Sequence, residues 1–380
     1  MQVIITAPSL DTKKNVSGVS SVVRFIIDNN PGRRYIHFEL GRQDNERRGP
    51  RRLLSLTKAL WEWKKLLSKN PEALVHYSFP LSAPSILRDP LFMWTAKRKG
   101  HRMVVHIHGG LFLNAERTPW LLRKILKWVF SWDVPFIVLS DKEREILMDK
   151  FSAKNVEILP NCVSIPEEDN YTYKEQRRHD GIIMGYLGRI EGNKGMRELL
   201  EACKRLKEEG VDFKLRFAGK EQKEGEFIPE YKNALGGNFE YVGLVSGKTK
   251  ELFMRSLDIF IMPTYFEGLP MSLLECMSYA ITPVVTPVGS IPTVVDSIDT
   301  TTRDTSGKYN LEAVTEGMDG VFIKKQDVRS IIDAVKLLYD NREMTRKLGL
   351  NARKRIIQEF SPNEYIEKLN SIYTKANLRK

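Results

Sequence analysis

Cysteine is scarce in this chain: Cys162, Cys203 and Cys276 are the three among 380 residues, with no Cys-x-x-Cys pair and no histidine at ligand spacing. That excludes a disulfide framework and a cysteine-based zinc site, and the three thiols are expected to be reduced. Long hydrophobic runs are missing too, since no stretch approaches the roughly 18 uninterrupted apolar residues that cross a bilayer. No basic leader precedes Val3-Ile4-Ile5-Thr6-Ala7, which reads as a first β-strand rather than a signal peptide, so the cytoplasm is the expected compartment. Nowhere does an Asp-x-Asp pair occur that could hold a divalent metal. Internal repeats and low-complexity tracts are also lacking, which removes solenoids from consideration.

What is present is globular: 42% hydrophobic and 28% charged residues. A chain of this length is too long for one ordinary core and suits two domains of about 150 to 200 residues. The net charge of +12 is unevenly placed. Residues 1–160 carry 27 Lys/Arg against 15 Asp/Glu, whereas residues 161–380 carry 33 of each. An electropositive first half can serve phosphate ligands, nucleic acid or an anionic membrane surface.

Short β-branched runs alternate with amphipathic segments, the pattern of a parallel sheet with crossover helices. In the first half the expected strands are Val3–Ala7, Tyr35–Phe38, Leu74–His76, Met103–Ile107, Phe136–Leu139 and Glu157–Leu159, with helices near 19–29, 52–67, 117–131 and 141–150. Residues 160–180 have linker composition. The pattern then restarts with Ile182–Leu187, a helix near 195–208, and strands Phe213–Ala218, Phe239–Val242, Asp258–Met262 and Thr282–Thr286. Residues 299–310 are polar and Thr-rich, as in a loop, and 329–359 reads as one helix. The expected domains are 1–165 and 166–360, with the last amphipathic segment, 361–380, packing back on the first.

Two constellations carry chemistry. The segment from Pro263 to Met277 follows a strand and opens a helix at Pro270, where a missing N–H is harmless. Backbone N–H groups from Gly268 through Leu269 to Ser272, at the positive end of the helix dipole, suit a phosphate or a sugar hydroxyl. Glu267 precedes this terminus and Glu275 lies about a turn and a half inside the helix, flanked by Leu273, Leu274, Cys276 and Met277. One carboxylate is placed for a sugar and the other for ribose hydroxyls. The second constellation runs from Gly185 to Gly195. A strand ends in a glycine turn, and Arg189 and Lys194 follow as a fork and a point charge able to neutralise a diphosphate.

These residues resemble the retaining glycosyltransferases of family 4, which have the GT-B architecture: α/β, with two Rossmann-like doubly wound parallel-sheet domains facing a central cleft. Gly188 to Lys194 is similar to that family's Gly-Arg…Lys-Gly phosphate site, and Glu267 to Glu275 to its Glu-x7-Glu motif, with Gly-Leu-Pro between. Ala218-Gly219, Tyr241-Val242-Gly243, Pro160-Asn161 and Thr286-Pro287-Val288-Gly289 also match. The likeness is dense over 182–290 and thinner before. In the first half, Val104-Val105-His106-Ile107-His108-Gly109-Gly110 resembles the family's strand ending in an active-site histidine. His108 is the better match, and His106, two residues earlier, lies on the same side of the strand; a histidine at a strand end also serves as a hydrogen-bonded core residue. Gly18 matches the glycine loop after the first strand, although Ser17 replaces the usual first glycine.

The resemblance implies a hexosyl-type transfer with retention, from a UDP- or GDP-sugar to a glycan or lipid-linked acceptor in cell-surface polysaccharide synthesis. His108, Glu267, Arg189 and Lys194 are its candidate catalytic residues. Gly18, Arg189, Lys194, Glu267, Gly268, Leu269 and Glu275 are its candidate donor contacts. No metal ligand and no cofactor beyond the donor is expected, and leaving-group stabilisation by Arg189, Lys194 and the helix terminus is the main protein contribution. A nucleotide-sugar epimerase of the same fold is the alternative. A nucleic-acid module, the third reading, lacks any recognisable motif.

The basic first half holds Arg47-Arg48-Gly49-Pro50-Arg51-Arg52, then Leu53, Leu56, Leu60, Trp63 and Leu67 at helical spacing among Lys58, Lys64 and Lys65. This segment reads either as a core-facing stripe under a solvated cationic face or as a helix resting peripherally on an anionic membrane.

Overall fold

The computed structural model describes residues 1–11, 15, 17–41, 51–115, 117–167, 181–298 and 317–378. Residues 168–180 of the expected linker, the Thr-rich stretch 299–310, and Arg47 and Arg48 lie outside the described residues, as do the side chains of Arg51 and Arg52. The chain divides into two units, Met1–Asn161 with Pro362–Lys380, and Cys162–Ser361.

In the first unit, β1 (Gln2–Ala7), β2 (Arg34–Glu39), β3 (Leu74–Ser78), β4 (Met103–His106), β5 (Phe136–Val138) and β6 (Val156–Ile158) form one sheet in the order β2-β1-β3-β4-β5-β6. Every pairing is parallel. Runs such as Val3-Ile4-Ile5 are buried on both faces, as a sheet covered by helices on both sides requires. The helices that follow β2, β3, β4 and β5, namely Arg51–Lys69, Ala83–Arg98, Trp120–Phe130 and Asp141–Phe151, pack as neighbours in that order. Right-handed crossovers place all four on one face. The first helix, Gly18–Asn29, packs beside the last, Pro362–Leu378. The ring of Phe25 meets that of Tyr365 edge-on at 5.8 Å, and Tyr373 Oη lies 2.6 Å from His76 Nδ1.

The second unit holds β7 (Ile182–Leu187), β8 (Phe213–Ala218), β9 (Phe239–Gly243), β10 (Ile259–Met262), β11 (Thr282–Val285), β12 (Ser297–Ile298) and β13 (Gly320–Phe322). Their order is β12-β13-β11-β10-β7-β8-β9, again all parallel.

Several elements differ from expectation. Ala83–Arg98 is a helix whose Pro84 fits the first turn but whose Pro90 lies inside it, and β12 and β13 are too short to show in the pattern. The single helix expected over 329–359 is two, Val328–Asp340 and Arg342–Glu359. Asn341 separates them because its side-chain amide donates back to the Leu337 carbonyl (2.9–3.0 Å is usual; here 2.8 Å) and ends the first helix.

Candidate functional site

The second sheet has one topological switch point. From β7 the chain moves through β8 to β9 on one side, and then to β10 and β11 on the other. Open α/β sheets bind ligands outside the carboxyl ends of the two strands at such a point. Here those strands are β7 and β10, paired through Met184 and Gly185 with Ile259 and Phe260.

The loops leaving these two strands lock together. After β7 the chain turns through Gly188 and Arg189 into a tight turn, Gly192–Lys194; after β10 it runs from Pro263 to the helix Met271–Ser278. The N–H of Tyr265 donates to the Asn193 carbonyl at 2.9 Å. Lys194 Nζ lies 2.5 Å from Glu267 Oε1, with 13% and 17% of the two side chains exposed. Such a short, shielded, charge-assisted bond is among the stronger side-chain contacts. Gly195 makes the approach possible: its φ is +73°, and a Cβ there would stand 2.1 Å from the Pro263 carbonyl oxygen. Gly289, at φ +60° in the loop after β11, would likewise strike the Glu267 carbonyl at 2.0 Å. Glu267 is thus held by backbone on one side and by Lys194 on the other.

Glu275 lies within helix Met271–Ser278 and is paired with Lys250 at 2.5 Å. Lys250 belongs to helix Gly247–Arg255, which follows β9. Nothing in the sequence links these two positions; the capping segment Ser246 to Thr249, which fixes where that helix starts, is the nearest signal. Arg189 is exposed and forms no side-chain ion pair with a described residue, while its carbonyl accepts the Tyr186 hydroxyl at 2.6 Å. The structure therefore brings Lys194 and Glu267 together and leaves Arg189 facing outward. The Gly268 carbonyl accepts the Ser290 N–H at 3.0 Å, and Leu269 is buried. Pro270 precedes the helix in an extended conformation instead of forming its first residue. Its ring leaves Met271 and Ser272 to supply the first-turn N–H groups.

The first sheet has its own switch point, between β1 and β3. A cavity of about 430 Å³ opens there, lined among others by Pro8, Val19, Ser78, Ser82, Ser85 and Arg88. His108, two residues beyond β4, has its Nε2 3.3 Å from Ser78 Oγ, so it stands directly behind this wall. Its Nδ1 is buried with no hydrogen-bond partner among the described residues. Its ring lies 4.0 Å from that of His106. His106 Nδ1 meets His76 Nε2 at 3.2 Å, and His76 Nδ1 meets Tyr373 Oη. Burial pushes His76 and His108 down to about 3, and His106 well below the ordinary histidine range, with His108 adding repulsion on the other two. All three imidazoles are neutral near pH 7. Gly18 is the first residue of its helix, and a Cβ there would meet nothing within 4 Å, so the chain's own packing does not require glycine. Ser17, standing where the resemblance has glycine, caps that helix by accepting the Ser20 N–H at 3.2 Å.

Among the described residues no group of three or more His, Cys, Asp or Glu is arranged to hold a metal ion. No described helix is long and apolar enough to cross a membrane.

Residues 167–302, which include the whole Lys194–Glu267 arrangement, match the family described as glycosyl transferases group 1. The capsular polysaccharide biosynthesis glycosyltransferase CapM of Staphylococcus aureus is 26% identical over 195 residues, 51% of this chain and 46% of CapM, so the match spans less than half of that relative. The UDP-Gal:alpha-D-GlcNAc-diphosphoundecaprenol alpha-1,3-galactosyltransferase of Escherichia coli is 23% identical over 345 residues, covering 84% of this chain and 80% of the enzyme. Among solved structures, sucrose-phosphate synthase of Thermosynechococcus elongatus superimposes with a TM-score of 0.74 at 16% identity, over 98% of both chains. HepE of Anabaena, in complex with UDP-glucose, gives 0.72 at 12% identity over 99% of this chain and 100% of HepE. The fold is GT-B.

Proposed function

We propose that this GT-B chain is a glycosyltransferase that moves a hexosyl group, with retention of anomeric configuration and without a metal ion, from a UDP- or GDP-sugar to a glycan or lipid-linked acceptor in cell-surface polysaccharide synthesis. The observation that carries this reading is the Lys194–Glu267 pair at the switch point of the second sheet, beside the outward-facing Arg189 and the first turn of helix Met271–Ser278. Breaking the anomeric bond leaves growing negative charge on a diphosphate. Arg189 and Lys194 supply cations for it, and the N–H groups from Gly268 and Leu269 to Ser272 supply preorganised dipoles. Glu267, which holds Lys194 in place, has its second carboxylate oxygen for a sugar hydroxyl. Glu275, oriented by Lys250, faces the ribose.

The acceptor side rests on the cavity between β1 and β3. Its mixed lining of proline, valine and serine, with Arg88 held on Asp89, suits a ligand with both apolar and polar parts. Gly18 borders it in sequence through Val19, and His108 reaches it through Ser78 as a neutral hydrogen-bonding group. The enzymes named for diphospho-undecaprenol acceptors among the relatives support a lipid-linked acceptor, and the proposed site of action is the cytoplasmic face of a membrane. The relatives are named for sugar transfer, which disfavours the epimerase alternative. Metal independence rests on the sequence, which lacks an Asp-x-Asp pair. Calorimetry with UDP and GDP tests the donor site: one of them binds wild type, and Lys194→Ala weakens it. Equal affinity in both proteins would refute the assignment.

A further inference from the structure

Helix Trp120–Phe130 buries Leu122, Leu126 and Val129 in the core of the first unit, so its opposite stripe faces solvent. That stripe ought to be polar. Instead it carries Trp120, 69% exposed, and Trp128, 46% exposed, with Leu121 beside them. The same inversion occurs on the neighbouring helix, Ala83–Arg98. Ile86, Pro90 and Met93 point inward, and Leu87, Leu91 and Trp94, spaced by four and three residues, are exposed. On the next helix, Arg51–Lys69, Trp63 is fully buried and donates its indole N–H to the Phe92 carbonyl. Trp61, about 200° further round, is 62% exposed.

These three helices are consecutive neighbours in one layer, so their outward stripes form one broad face. Its charge is predominantly positive. Helix Trp120–Phe130 contains Arg123, Lys124 and Lys127 and no acid; on Ala83–Arg98 the one acid, Asp89, is buried against Arg88; on Arg51–Lys69 the one acid, Glu62, lies 3.8 Å from Lys58. Cations stand over three of the four exposed indoles: Lys65 on Trp61 and Arg98 on Trp94 at 5.0 Å, Lys124 on Trp120 at 5.1 Å.

We propose that this face, centred on Trp94, Trp120 and Trp128, is where the protein docks on an anionic lipid bilayer. Indoles prefer the headgroup level, where an apolar ring and a polar N–H are both satisfied. Lysine and arginine beside them pair with lipid phosphates. A nucleic acid would satisfy the cations and leave Leu87, Leu91 and Leu121 without an apolar environment, whereas a bilayer offers both. Helix Arg51–Lys69, read from the sequence either as a core-facing stripe or as a helix resting on an anionic membrane, buries Trp63 and Leu67 and exposes Trp61, Lys64 and Lys65 on this face. The face does not depend on the donor chemistry: vesicle binding and nucleotide binding are separate measurements on separate units, and either can fail alone.

The test is cosedimentation of the full chain with vesicles of phosphatidylglycerol and phosphatidylcholine, and with phosphatidylcholine alone, at low and high salt. Two variants accompany wild type: Trp120→Ser with Trp128→Ser, which keeps the charge, and Arg123→Gln with Lys124→Gln and Lys127→Gln, which keeps the indoles. Both change exposed positions, and melting temperature checks their folding. Wild type sediments with the anionic vesicles and is released by salt. The charge variant binds on the order of a hundredfold more weakly, and the indole variant about tenfold more weakly. Quenching of the tryptophan fluorescence by acyl-chain-brominated lipid places the indoles in the bilayer. Absence of binding to anionic vesicles, or binding that the indole variant does not change, would overturn the proposal. So would a concentration-dependent dimer abolished by Trp120→Ser with Trp128→Ser, which would give the face to a second copy of the chain.

Discussion

Lys194 and Glu267, 73 residues apart in sequence, meet at 2.5 Å across the switch point of the second sheet. Two glycines in left-handed conformations, Gly195 and Gly289, allow the backbone around them to close to distances that a Cβ would forbid. The pair is preorganised: the lysine is fixed before any anion arrives, so little reorganisation accompanies binding.

That preorganisation predicts non-additivity. Lys194→Ala removes a charge-assisted contact to the diphosphate and lowers affinity about 10- to 100-fold. In a Glu267→Gln background the same change costs less, because the lysine has already lost its anchor. A double-mutant cycle by calorimetry reads this coupling, and additive losses would argue that the two residues act independently.

Glu267 and Glu275 should separate functionally. Glu275→Gln weakens binding of the nucleoside diphosphate itself, and Lys250→Ala does the same by releasing the carboxylate. Glu267→Gln lowers sugar transfer or donor hydrolysis by more than it lowers nucleotide affinity, which it touches only through Lys194. Nucleotide affinity and turnover measured on the same three variants check the division; equal effects on affinity would erase it.

The buried histidines make the first unit acid-sensitive. Unfolded imidazoles take up protons below about pH 6.5, whereas His76 and His108 in the folded chain resist protonation down to about 3. The unfolded state therefore binds more protons across that window. Stability is full above it and falls as pH drops, by up to about 1.4 kcal/mol per histidine per pH unit. Melting temperature should decline steeply from pH 6.5 to 4.5, and His76→Gln should make the decline shallower. A flat profile would mean that these rings protonate without cost.

How far the sequence reveals this molecule depends on whether the signal is local. Strands such as Val3-Ile4-Ile5 and Ile259–Met262 are legible because a parallel strand buried on both faces must be continuously apolar. Glu267, Glu275, Arg189 and Lys194 stand out through glycine turns and a strand-to-helix junction. Helix Ala83–Arg98 was hidden for two reasons: Pro90 sits in its interior, and Leu87, Leu91 and Trp94 on its outer stripe cancel the amphipathic period. The bond between Tyr373 and His76 spans 297 residues, and the Lys250–Glu275 pair joins two helices with no shared motif. Such contacts follow from the tertiary fold, which no window of sequence contains.

Turnover in excess chelator tests the metal-free reading, which the missing Asp-x-Asp pair motivates. Activity is expected to be unchanged by EDTA. Loss that manganese or magnesium restores would contradict it.

The central claim is that this chain transfers a sugar from a nucleoside diphosphate. Mass spectrometry of the products formed from a panel of UDP- and GDP-sugars, with and without a diphospho-undecaprenol-linked acceptor, tests it most directly. The account predicts one donor whose nucleoside diphosphate is released together with an acceptor heavier by one hexosyl unit, and loss of that product in Lys194→Ala. An epimerised sugar nucleotide formed without acceptor, or no consumption of any donor while the protein remains folded, would contradict it.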